Sequence, residues 1–119
     1  MRIAEIMKSP VVVTQKNRAI THVRGLLERK DINAVPVLEM DGEIRGIITS
    51  NDIAKVHDDT KPVEEFMTKK VHVALKETSA KDAARMMMKH HCHHIVVMED
   101  GQVIGMVSSM DIVKLFAEQ

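Results

Sequence analysis

Apolar positions along this chain switch between two periods, and the switch happens twice. Ala19, Ile20, Val23, Leu26 and Leu27 recur at helical spacing and predict one helix. The same spacing returns with smaller and softer residues at Ala80, Ala83, Ala84, Met87 and Met88. Ser79 and Asp82 fit the start of this second helix as its cap and its third residue. After each helix the apolar residues crowd into short runs around an Asp-Gly pair. "AVPVLE" and "EIRGIIT" flank Met40-Asp41-Gly42, and "IVVM" and "QVIGMVS" flank Asp100-Gly101, so each set predicts a β-hairpin. A brief apolar run precedes each helix, at residues 11–13 and 71–73, and predicts a strand. A short helical turn leads into each run, at residues 3–7 and 63–67. A last helix closes each set, over residues 51–56 and 110–117.

The order of elements is therefore β-α-β-β-α, written twice, and the residues themselves repeat. "IAEIMKSPVVV" matches "VEEFMTKKVHV" at an offset of 60. "VPVLEMDGEIRGIITSNDIAKV" matches "IVVMEDGQVIGMVSSMDIVKLF", with one residue dropped in the turn. Repeat 1 spans residues 1–57 and repeat 2 residues 63–119, joined by a polar linker at 58–62 that carries a proline. The fold class is α/β (α+β). A unit this small cannot bury both faces of its sheet alone. The two repeats are expected to pack sheet to sheet about a pseudo-twofold axis.

Composition narrows the function classes. The chain has 119 residues, 45% hydrophobic and 29% charged, with a net charge of zero when His is neutral. That balance gives no reason to expect nucleic acid or an anionic membrane as partner. No apolar run approaches the roughly 20 residues that span a bilayer, and the N-terminus lacks the long apolar stretch of a signal peptide. A single cysteine suits a cytoplasmic setting. Aromatics are nearly absent, and ten methionines supply adaptable packing instead.

Three features could carry chemistry. Thr49-x-x-Asp52 and Ser108-x-x-Asp111 stand where a hairpin strand passes into the closing helix. They read as capping boxes. A ligand role is the second reading, because free N–H groups at a helix start attract anions and an Asp carboxylate can accept from ligand hydroxyls. Gly46 and Gly105 lie inside the preceding strands, where either something approaches the backbone closely or the strand bends. Pro36 has no N–H for a ladder, whereas repeat 2 has Val96 at that place. The third feature is "MKHHCHH", which sets His90, His91, His93 and His94 around Cys92. Three readings stand open for it: a metal or redox site, a solvated helix end, and a set of groups for a ligand phosphate. No nucleophile–base set suggests an enzyme.

The doubled strand and hairpin-exit motifs, "NAVPVL" with "GIITSNDI" and "HHIVVM" with "GMVSSMDI", resemble a pair of CBS domains, a Bateman module. The resemblance covers nearly the whole chain. Repeat 2 is similar to a CBS unit of the gamma subunit of AMP-activated protein kinase, which carries a His-Arg pair where this chain has His93-His94. It implies a non-enzymatic regulator that binds an adenosine-containing ligand (AMP, ADP, ATP or S-adenosylmethionine) in clefts between the repeats and signals to an effector protein. No cofactor is required. Carried onto this chain, Thr49 and Asp52 would work with Lys70, Val71, His93, His94 and Ile95. Ser108 and Asp111 would work with Val11, Val13, Ala34, Val35 and Pro36. The first set, richer in cationic groups, is the expected phosphate site. A homodimer is expected, through apolar helix surface at residues 86–88 and at Ile112, Leu115 and Phe116. The rival functions are a structural dimerisation module with vestigial pockets and a metal or redox sensor built on the His-Cys cluster.

Overall fold

The computed structural model describes all residues, Met1–Gln119. The elements run α1 (Ile20–Lys30), β1 (Ala34–Leu38), β2 (Ile44–Thr49), α2 (Ser50–Ala54), β3 (Val73–Leu75), α3 (Ala80–His90), β4 (His94–Glu99), β5 (Gln102–Ser108) and α4 (Ser109–Ala117). One 3-10 turn, Ile3–Glu5, precedes the first set and another, Val63–Glu65, the second. This is a mixed α and β architecture with two separate sheets.

The chain forms two compact units, and these do not follow the repeat boundaries. The first unit is residues 12–71. The second joins residues 72–119 to residues 1–11. Each repeat thus lends its leading segment to the other unit. In the first unit, Ile20, Val23, Val35, Val37, Ile48 and Ile53 form the core together with Val63 from the second repeat's leading turn. In the second unit, Ala83, Met87, Ile95, Val97 and Val107 form the core together with Ile3. Ile3 and Val63 are both fully buried. Complete burial of such an aliphatic side chain contributes about 1.5–3 kcal/mol, so each leading turn is anchored by its apolar residue.

The hairpins follow their turn chemistry. Asp100 and Gly101 both have positive φ, 52° and 76°, as a type I′ turn requires. β1 and β2 pair antiparallel, as do β4 and β5, and each pair slips register once, between Val37 and Leu38 and between Val97 and Met98. Gly46 and Gly105 sit beside these slips. A Cβ at Gly105 would stand 2.6 Å from Met7 Sδ and 2.9 Å from the Lys8 carbonyl oxygen. At Gly46 it would meet Met67 Sδ at 2.8 Å and the Thr68 carbonyl at 2.9 Å. Both readings of these glycines therefore hold. The strand is irregular there, and the incoming leading segment presses on its backbone.

The expected opening strands differ from what forms. In the second unit the strand is β3, at Val73–Leu75, and not at 71–73. It runs parallel to β4, and Val96 N–H donates to the His72 carbonyl at 2.9 Å. In the first unit no strand forms at 11–13, and only Thr14 bridges to Val37. Pro36 supplies the reason. It stands where Val96 stands and has no N–H to offer the carbonyl of Val12, so the ladder shrinks to one bridge. The expected outward helix surface also needs correction. Met87 is buried and Ile112 packs against the core. The residues left exposed are Met88, Met110, Val113 and Phe116.

Candidate functional site

Each hairpin ends on a hydroxyl residue that starts the closing helix. Thr49 caps α2: its Oγ1 accepts from Asp52 N–H at 3.2 Å, while Thr49 N–H donates to Asp52 Oδ2 at 3.0 Å. Ser108 caps α4 the same way, its Oγ accepting from Asp111 N–H at 3.2 Å and its N–H donating to Asp111 Oδ2 at 2.8 Å. The reciprocal bonds fix both carboxylates at the third helical position.

The start of the neighbouring strand is held against each of these corners. Ala34 pairs with Thr49, and Ser50 N–H donates to the Asn33 carbonyl at 2.9 Å. His94 pairs with Ser108, and Ser109 N–H donates to the His93 carbonyl at 2.9 Å. The structure thus brings Ala34 to Thr49 and Asp52, and His93 and His94 to Ser108 and Asp111. Val35, Ile95 and Pro36 are buried, so their side chains belong to the packing and only their backbone is available to a ligand. Val11 and Val71 are half-buried, and Val13 and Lys70 are exposed. Lys70 forms no ion pair.

Two residues absent from the expected sets complete the corners. The leading segment of each unit crosses the strand beside the helix start. Lys8 exchanges backbone hydrogen bonds with Met106, at 2.9 and 3.2 Å, and Thr68 with Ile47, at 2.8 and 2.9 Å. Lys8 Nζ then reaches Asp111 Oδ1 at 3.2 Å. Thr68 Oγ1 stands 3.3 Å from each carboxylate oxygen of Asp52. The signal in the chain was the alignment of "EIMK" with "EFMT", where these two residues occupy the same place.

The histidines do not converge. His90 ends α3 and stacks on His72, with ring centroids 4.3 Å apart. His91 is the C-cap of α3, in the left-handed region at φ 53°. His93 is exposed, with Nδ1 at 3.4 Å from Ser109 Oγ. His94 opens β4, and burial, reinforced by the neighbouring His93, pushes its pKa down despite the pull of Asp111. Cys92 packs against the core of the second unit, and burial pushes its thiol pKa up, away from the reactive thiolate. No group of three or more His, Cys, Asp or Glu residues is assembled that could hold a metal ion. The four histidines and Cys92 thus do not converge on one point within the chain. No helix is long and apolar enough to cross a membrane.

The family model of the CBS domain matches residues 3–59 and 63–118. The chain belongs to the CBS domain family. The CBS domain pair of protein MJ0100, solved with 5′-methylthioadenosine and S-adenosyl-L-methionine, aligns with a TM-score of 0.93 at 32% identity, covering 99% of this chain and 97% of that one. A CBS-domain protein from Burkholderia ambifaria MC40-6 aligns with a TM-score of 0.90 at 29% identity, covering 100% and 96%. Among curated relatives, an L-aspartate semialdehyde sulfurtransferase of Methanocaldococcus jannaschii is 33% identical over 96% of this chain. The chain spans only 23% of that enzyme's length. Protein MJ1426 of the same organism is 30% identical, and there the match covers 96% of this chain and 90% of the relative.

Proposed function

We propose that this CBS pair is a non-enzymatic regulatory module that binds an adenosine-containing ligand through its [ST]-x-x-D helix starts and signals to an effector protein. The observation that carries the reading is the doubled corner itself. A carboxylate is held at the third position of a helix by a backbone N–H. A cap hydroxyl stands beside it, and the start of a strand lies against it. Such a carboxylate can accept from both hydroxyls of a ribose, and the adjacent strand backbone can address the base. The adenosine ligands bound by the related MJ0100 pair support the chemical class. The half-buried single cysteine and the lack of a membrane-spanning helix suit action in the cytoplasm.

Replacing Asp52 with Ala removes one ribose acceptor and should cost about 1.5–3 kcal/mol of binding, as for hydrogen bonds to a charged group. Calorimetry with AMP, S-adenosylmethionine and 5′-methylthioadenosine checks this, and a folded variant that binds all of them as tightly as the parent chain would sink the assignment. The module also dimerises in this reading. Met88, Met110, Val113 and Phe116 leave 76%, 67%, 54% and 78% of their surface in solvent, an apolar exposure on α3 and α4 that a second copy would cover. Sedimentation at micromolar concentration should give twice the 13.4 kDa chain mass, and the single-chain mass would refute it.

A further inference from the structure

The two helix starts share their capping bonds, their strand neighbours and the backbone crossing of a leading segment. They differ in the side chain which that segment delivers. Lys8 places an ammonium on Asp111, at 3.2 Å. Thr68, at the equivalent crossing, places a hydroxyl on Asp52. The Asp52 carboxylate meets only neutral donors: the Thr49 N–H, the Thr49 hydroxyl and the Thr68 hydroxyl. Its charge stays uncompensated, and an anionic ligand group brought alongside would be repelled. The Asp111 carboxylate is neutralised where it stands, and it is also the more deeply buried of the two, at 8% exposure.

Lys8 has capacity to spare. An ammonium carries three donors. One is spent on Asp111, and the Lys8 side chain is 69% exposed, so two donors remain open to a ligand oxygen. Thr68 has a single hydroxyl proton and directs it at Asp52. The other cations near the Asp52 corner do not redress this. Lys69 lines a separate cleft with Lys16, Glu39, Arg45, Glu64 and Glu65, and neither Lys69 nor Lys70 pairs with Asp52. His93 and His94 stand beside the Asp111 corner in the same unit.

We infer that Lys8 sorts ligands by charge. The Asp111 corner takes the phosphate-bearing adenosine ligand, and the Asp52 corner takes an uncharged or sulfonium-bearing one. This reverses the order expected from the chain, which set the phosphate at Thr49 and Asp52. It rests on the adenosine-binding reading above.

The test uses the full chain and two ligands that differ in charge, AMP and 5′-methylthioadenosine. The Asp52→Ala chain reports the Asp111 corner alone, and Lys8→Thr is added in that background. Thr68→Lys is added to the Asp111→Ala chain. Lys8→Thr should lower AMP affinity about tenfold, the size of one hydrogen bond to a charged group, and leave 5′-methylthioadenosine within about twofold. Thr68→Lys should raise AMP affinity by a similar factor. Lys8→Arg should keep the AMP preference, because the charge stays. An AMP-to-methylthioadenosine ratio unmoved by both Lys8→Thr and Thr68→Lys overturns this inference while leaving adenosine binding intact. A parent chain that binds neither ligand overturns the functional reading and this inference with it. If Lys8→Thr failed to fold, the Thr68→Lys arm would still decide.

Discussion

Four histidines packed around one cysteine look like a single site in the chain, and each turns out to have its own surroundings. The stretch crosses from a helix end through a left-handed cap into a strand, so neither the helical nor the strand period runs through it. His91 spends its backbone on ending α3 at positive φ, a conformation in which His is enriched among non-glycine residues. His90 stacks on His72, and His94 is half-buried at the start of β4. The pKa of His94 is lowered chiefly by burial, and that of His22 is lowered as well, by burial and by Arg18 and Arg29. Unfolding would return both to the ordinary value near 6.5, so below that pH the unfolded chain binds more protons than the folded one. Stability should therefore fall as pH drops from about 6.5 toward the lowered folded values. Denaturant titrations between about pH 7 and 5 should show that slope, shallower in His94→Gln, with the remainder owed to His22. An identical slope in the variant would mean that His94 is not held neutral by its burial. The same burial disfavours positive charge on His94, in keeping with the proposed role of the exposed Lys8.

At the scale of elements, local signals were legible and pairings across the chain were not. The hairpins, the caps at Ser79, Thr49 and Ser108 and the closing helices follow from residues within a few positions of each other, and the structure has them. The opening strand of the first unit failed because a strand needs a partner's donor, and Pro36 withholds it, whereas the second unit forms its strand two residues later than expected. Pro36→Val should restore that donor. The amide gained at position 36 should then be protected from hydrogen exchange, and the pairing should extend back from Thr14 to Val12, as it does from Ala74 to His72 in the second unit. If that new amide exchanged as fast as an unpaired one, the missing strand would have another cause. Lys8 and Asp111 lay out of reach for a related reason: they are 103 residues apart, and nothing local joins them. The aligned difference between Lys8 and Thr68 was visible, but its meaning depends on the leading segments changing units.

For the whole molecule, that exchange is the feature the repeat pattern did not disclose. The matching runs at 3–13 and 63–73 mark the start of each repeat, yet the cores divide the chain at Val11 and Val71. Ile3 and Val63 are the physical reason, since each finds complete burial in the unit built on the other repeat. Two near-copies of one corner result, with different charge, and the proposed adenosine-binding role rests on them. The most direct check is a calorimetric titration of 5′-methylthioadenosine and AMP into the intact chain and into the Asp52→Ala, Asp111→Ala double variant. The parent chain should bind at least one of the two ligands saturably, and the folded double variant should lose that binding at the same concentrations. Undiminished binding in the double variant, or no binding by the parent chain, would contradict the assignment of these helix starts as the ligand site.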